Sequence, residues 1–120
     1  MEPTRMIEHE AWSEYLDAVS KELLNAPVSI EVVAAPDTPI VEAERLALQT
    51  LTYDRREDVF EVAAARGGPR VPSVLRHLVD HPARIEVDSR TMLAPMTIAV
   101  DGVDGTRTLI MIGREPEFTG

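Results

Sequence analysis

The stretch Leu46–Val62, LALQTLTYDRREDVFEV, constrains the fold more than any other part of the chain. Leu46 and Leu48 alternate with Ala47 and Gln49, the period of two that sends apolar side chains to one face of a sheet. Leu51 and Tyr53 keep the alternation on the opposite parity. The slip at Gln49-Thr50 predicts a β-bulge, which adds one residue, bends the strand and sharpens its twist. Asp54-Arg55-Arg56-Glu57-Asp58 is a polar run without β-branched residues and predicts a turn. Val59, Phe60 and Val62 resume a strand. A long bent strand entering a hairpin is how a small sheet begins to close into a barrel.

The flanks are read against this hairpin. Residues 1–7 are expected to form a loose arm. From Glu8 to Leu24, Trp12, Tyr15, Leu16, Val19 and Leu23 make one apolar stripe at helical spacing. Glu8 and Glu10 suit the positive end of a helix dipole, while Asn25 and Pro27 supply a stop. Trp12 and Tyr15 are expected to anchor this helix to the sheet. Val28–Ala34 alternates as a strand, Pro36–Pro39 turns the chain, and Ile40–Leu48 begins the long strand. Ala63–Ala65 extend the return strand until Arg66-Gly67-Gly68-Pro69-Arg70 breaks it, without dinucleotide or P-loop spacing. Val71–Val79 is assigned to a strand rather than a short helix. Asp80-His81-Pro82 is a turn, because a residue before proline avoids helix. Arg84–Asp88 is a strand, and Thr97–Ile112 a second hairpin looping at Asp101–Gly105. Leu109–Ile112 is apolar on both faces, so it is expected beneath the helix or within an interface.

These elements predict one domain over 1–120: arm 1–7, helix 8–24, antiparallel sheet 28–112 and tail 113–120. The expected fold class is α+β, an N-terminal helix on a strongly bent antiparallel sheet of five or six strands, as an SH3-like or Sm-like small barrel. A chain of 120 residues is long enough to bury a core without staples. The absence of cysteine excludes disulfides, thiolate metal sites and thiol catalysis. With 12 Lys+Arg against 21 Asp+Glu, the net charge of −9 opposes non-specific binding to phosphate backbones and anionic lipid. No apolar run reaches the roughly 20 residues that span a bilayer, and MEPTRMIEHE has no apolar signal core. The expectation is a cytoplasmic protein with no membrane contact.

Two clusters bear on chemistry. His77 and His81 are four apart with Asp80 beside them, which on a helix would put both imidazoles on one face as a zinc site requires. Pro82 follows directly, no third ligand can be named, and His9 is remote, so a metal site is disfavoured and no cofactor is expected. Asp54, Glu57 and Asp58 gather carboxylates on the hairpin turn, but Arg55 and Arg56 stand among them and the calcium-loop spacing is missing. That turn is expected to be a solvated set of local ion pairs, or else a tip that recognises a partner. No nucleophile elbow or Ser/His/Asp set is present. The expectation therefore leans away from an enzyme, with an enzyme or metal protein using His77, Asp80 and His81 kept as an alternative.

Trp12 in the opening helix, the SIEV strand at Ser29–Val32, LxxLTYDxxxDVFEV at Leu48–Val62, His77, Pro82 and a closing strand after Asp-Gly together resemble the domain of unknown function 5335 family of small bacterial proteins. These are packing and turn residues, so the resemblance implies a fold and no activity. Thr50 departs from it, standing where glycine is expected. The order of helix, strand, bent strand and Leu-x-Tyr-Asp turn also resembles the first half of an Sm-like barrel, the fold of ring-forming RNA-binding proteins. There Asp58 replaces the asparagine that reads RNA, and no second basic-glycine motif follows. The functional expectation is a protein-interaction or oligomerisation module using Asp54, Arg55, Arg56, Asp58, Leu109 and Met111. The alternatives are an Sm-like RNA-binding protein and a metal protein using His77 and His81.

Overall fold

The computed structural model describes residues 4–34, 38–66, 73–88 and 95–113. In chain order it contains strand β1 (Arg5–Ile7), a 3-10 turn (His9–Ala11) and helix α1 (Trp12–Glu22). Strands β2 (Pro27–Ala34), β3 (Thr38–Asp54), β4 (Val59–Arg66), β5 (Ser73–Asp80), β6 (Pro82–Val87), β7 (Met96–Gly102) and β8 (Arg107–Ile112) follow. They form one sheet in the order β1-β6-β7-β8-β2-β3-β4-β5, and every neighbouring pair is antiparallel.

This corrects the expected barrel of five or six strands. Among the described residues the sheet has eight strands and two separate ends, β1 and β5, that do not pair, so neither SH3-like nor Sm-like closure exists. The reason lies at His81. A tight hairpin uses a loop of two or more residues, and His81 alone separates β5 from β6. The chain turns a corner there instead, and the two strands go to distant places in the sheet. The N-terminal arm is also corrected: Arg5, Met6 and Ile7 pair with Val87, Glu86 and Ile85. Three residues are too few to carry a visible period. The expected helix over 8–24 is likewise shorter, with a 3-10 turn at its start and α-helix at Trp12–Glu22. Val71–Val79 is largely strand, as β5. Of the expected loops and tail, residues 67–70 and 114–120 lie outside the described residues.

The long strand bends where the alternation slips. Leu48 pairs with Ala64 and Thr50 with Ala63, so Gln49 is the extra residue of a bulge. Leu46, Leu48, Leu51 and Tyr53 consequently all face the core despite their mixed parity. Thr50 is not among the residues with positive φ, so the bend is made without the freedom of glycine.

Beyond Ala47 the strand β3 loses β2 as a neighbour, and the α1 region takes its place. Asn25 N–H donates to Leu48 O at 2.8 Å and Leu48 N–H to Ala26 O at 2.9 Å. Ser20 Oγ accepts from Leu51 N–H at 2.7 Å, and its single proton lies within reach of Leu51 O (3.0 Å) and Leu16 O (2.8 Å). Ser13 Oγ donates to Tyr53 O at 3.2 Å. Ser13 and Ser20 are two helical turns apart and share one face. They satisfy a strand edge that would otherwise be buried unpaired. Trp12, Tyr15, Leu16 and Val19 bury the adjoining stripe, each worth about 1.5–3 kcal/mol when fully withdrawn from water.

The core sits on one side of the curled sheet, under α1 and between the inner faces of the strands. On β8 it takes Thr108, Ile110 and Ile112, while Leu109 and Met111 lie half-buried on the other side. The helix packs on β3, which corrects the expected place of β8 beneath it. Among the described residues, no helix is long and apolar enough to cross a membrane.

Candidate functional site

The corner at His81 joins the tip of the β3–β4 hairpin to the β7–β8 loop. His81 N–H donates to Asp58 O at 2.8 Å, and Val103 N–H donates to His81 O at 3.2 Å. Asp58 and His81 both adopt left-handed backbone, with φ of 55° and 52°. Such a conformation is costly for residues other than glycine and persists where surrounding bonds hold it.

Side chains knit the same corner. Tyr53 OH donates to Asp58 Oδ1 at 2.5 Å, and His81 Nδ1 lies 3.1 Å from Asp58 Oδ2. Because the phenol has one proton and gives it to Asp58, its oxygen accepts from His9 Nε2, 3.1 Å away. The run is therefore His9–Tyr53–Asp58–His81. Behind it, the rings of His9, Trp12 and Tyr53 meet edge-on, with centroids 4.4, 5.0 and 5.5 Å apart. Arg55 Nη2 donates to Glu10 O at 2.7 Å and ties the turn to the 3-10 segment. Asp54 Oδ1 accepts from Arg56 N–H and Glu57 N–H at 2.9 and 3.2 Å, as turn aspartates do.

Burial, followed by the Asp58 hydrogen bond and charge, pushes the Tyr53 hydroxyl up to about 12. The Tyr53 hydroxyl, followed by His81, holds the Asp58 carboxyl below the usual carboxylate range. A phenol raised in the folded state contributes stability that is complete below the unfolded tyrosine value. That contribution is lost as pH rises from about 10 towards 12. A lowered carboxyl contributes stability above about pH 3.9 that is lost as pH falls through its folded value. Asp58→Asn is expected to lower the Tyr53 ionisation midpoint and to flatten the acid limb of stability. Ultraviolet titration, taken as the difference from Tyr53→Phe because burial also raises Tyr15, and melting across pH check both effects.

The sequence-derived candidates fall in separate places. Asp54, Arg55, Arg56 and Asp58 do share the hairpin tip, although Arg56 and Glu57 point to solvent. Leu109 and Met111 are elsewhere, on the outer face of β8. Beside them Arg84, Glu86, Asp101 and Arg107 alternate in sign at 2.9–3.7 Å. Two open depressions of about 440 and 260 Å³ flank that set, and neither is bordered by the His81 corner.

The His77/Asp80/His81 metal reading does not survive. β5 is a strand, on which residues four apart are separated by roughly 13 Å. His77 Nε2 lies 3.3 Å from Thr108 Oγ1, Asp80 is exposed and His81 turns to Asp58. Among the described residues no three His, Asp or Glu groups are placed to share a metal. The open sheet likewise removes the Sm-like framework of the RNA reading. His9, set aside as remote, and Tyr53 are the residues that the sequence reading missed. The inward parity of Tyr53 opposite the Trp12 helix was the available signal.

Chemically, Asp58 holds the His81 imidazole by Nδ1 and the Tyr53 hydroxyl by its proton. The bonds of the corner tie the β3–β4 turn and the β7–β8 loop to the link between β5 and β6. The other feature of note is β5 itself. Hydrogen-bonded to β4 on one side, it has no strand on the other among the described residues, and Val74 and Leu78 are 58% and 55% exposed.

A family model described as "Family of unknown function (DUF5335)" matches residues 3–118. An "Uncharacterized protein" of Aquifex aeolicus (strain VF5) is 34% identical over 109 residues, covering 91% of each chain. No solved structure matches. The matched span takes in the helix, the eight described strands and the His81 corner, and on that extent the chain belongs to the DUF5335 family.

Proposed function

We propose that the protein is a non-enzymatic protein-interaction or oligomerisation module whose contact element is β5. One observation carries this reading: an eight-residue strand forms an open edge among the described residues and exposes Val74 and Leu78. An unpaired edge offers a row of backbone donors and acceptors to another chain, and natural sheets shield long edges with charge, bulges or covering segments. Arg76 and Asp80 put charge on this edge, yet the apolar pair remains between and beside them. The opposite edge, β1, has three residues and offers little. Added-strand recognition, with backbone bonds for affinity and alternate side chains for specificity, fits such an edge.

The test is a photo-reactive amino acid at position 78 in living cells, compared with the same group at Glu22, exposed on α1. Covalent protein adducts at position 78 well above those at position 22 are expected. Adducts no more frequent at 78 than at 22 would overturn the reading.

A further inference from the structure

We infer that the occupant of the β5 edge is a second copy of this chain, paired antiparallel about a two-fold axis at Leu78; this rests on the interaction reading above. The side chains of Val74, Arg76, Leu78 and Asp80 lie on one face of the strand, the face away from the buried Val79. Their spacing is self-complementary in one register. With Leu78 opposite the partner's Leu78, each Arg76 falls opposite the partner's Asp80, and each Asp80 opposite the partner's Arg76. A two-fold contact requires such reciprocity. Two ion pairs then flank one apolar pair, and cross-strand neighbours of these kinds stabilise a sheet.

Two neighbouring registers are poorer. Centring on Arg76 brings two guanidinium groups together, and like charges directly opposite are destabilising. Centring on His77 sets Leu78 against the partner's Arg76 and Val74 against the partner's Asp80, leaving every charge facing an apolar side chain. The charges are also uncommitted: among the described residues neither Arg76 nor Asp80 makes an ion pair.

The end of the edge supports the same register. Val103 N–H closes the edge at His81 O, so pairing runs from Arg76 to Asp80. The partner's Val74 then leaves the ladder beside the loop that carries Val103, itself 69% exposed. The three large exposed apolar side chains of this region thereby enter one interface. Eight strands would continue into a sheet of sixteen across the axis, each copy covering the other's open edge.

The test is molar mass in solution by light scattering over a concentration series, with charge reversal. The whole chain is expected to approach twice its 13.3 kDa. Arg76→Asp and Asp80→Arg should each weaken dimerisation roughly tenfold or more, since each turns two attractive pairs repulsive. The double variant Arg76→Asp/Asp80→Arg should recover wild-type association, which a merely unfolded variant would not do. Circular dichroism of each variant checks its fold.

A dimer that is lost with Leu78→Lys but indifferent to either reversal would overturn this register. A chain at single mass throughout the series, with position-78 adducts to some other protein, would overturn the second-copy inference while the interaction reading stands. The absence of position-specific adducts together with single mass would remove both.

Discussion

Replacing Trp12 by alanine is expected to lower the unfolding free energy by about 3–5 kcal/mol, the range for a large aromatic removed from a core. The indole is 2% exposed and stands at the meeting of three elements. Its Nε1–H donates to Ile7 O at 2.9 Å, fastening β1 to the helix. Its ring edges meet Tyr53 and His9 at the base of the hairpin tip. Alanine removes the ring, leaves a cavity and strips Ile7 O of its side-chain donor, in a domain whose whole stability is of order 5–15 kcal/mol. Trp12→Phe retains most of the apolar volume but loses the donor, and about 1–3 kcal/mol is expected from that loss. Urea unfolding followed by circular dichroism measures both, because the substitution removes the sole tryptophan. Amide exchange at Arg5–Ile7 should quicken in each variant. A Trp12→Phe protein as stable as wild type would mean that β6 alone secures β1.

Ser20→Ala is expected to cost about 1–3 kcal/mol, more than a serine truncation usually would. The hydroxyl is buried and supplies the acceptor for Leu51 N–H at 2.7 Å. It stands where a neighbouring strand would be, and alanine leaves a buried amide without a partner. Ser13→Ala serves as the comparison. Its hydroxyl reaches Tyr53 O at 3.2 Å from a half-buried position, where water can substitute, so below about 1 kcal/mol is expected. Native-state hydrogen exchange at Leu51 should report the change locally. Equal losses for the two serines would show that the edge of β3 does not depend on Ser20.

Both expectations depend on contacts that periodicity does not encode. The helix was legible because Trp12, Tyr15, Leu16 and Val19 repeat at its pitch, and a buried stripe is a local property of spacing. The bulge was legible for the same reason: alternation that slips by one at Gln49 requires an extra residue on that strand if both halves are to face one core. The two serines carried no such mark. Serine on a helix is ordinarily solvated or at a cap, and its role here arises from β2 departing from β3 after Ala47.

The candidate site divides in the same way. The Asp54–Asp58 turn could be nominated because its polar residues are contiguous. His9 could not, because 44 residues separate it from Tyr53 and only the packing of Trp12 brings the two together. The histidine pair misled because its spacing has meaning on a helix and none on a strand. Strand count and openness were likewise beyond local reading. Three residues of β1 have no period, and a one-residue link at His81 does not announce which end of a sheet the next strand will join.

By itself, then, the sequence determined the elements whose signal is local: the amphipathic helix, the bent hairpin, its polar turn and the inward face of most strands. Tertiary structure alone decided that the eight strands of the described residues remain an open sheet, that a helix edge replaces a strand beside β3, and that His9, Tyr53, Asp58 and His81 form one run of hydrogen bonds. The physical reason is range. Alternation and helical pitch act between neighbours in the chain, whereas the unpaired edge at β5 and the clasp at His81 exist only once distant strands have taken their places.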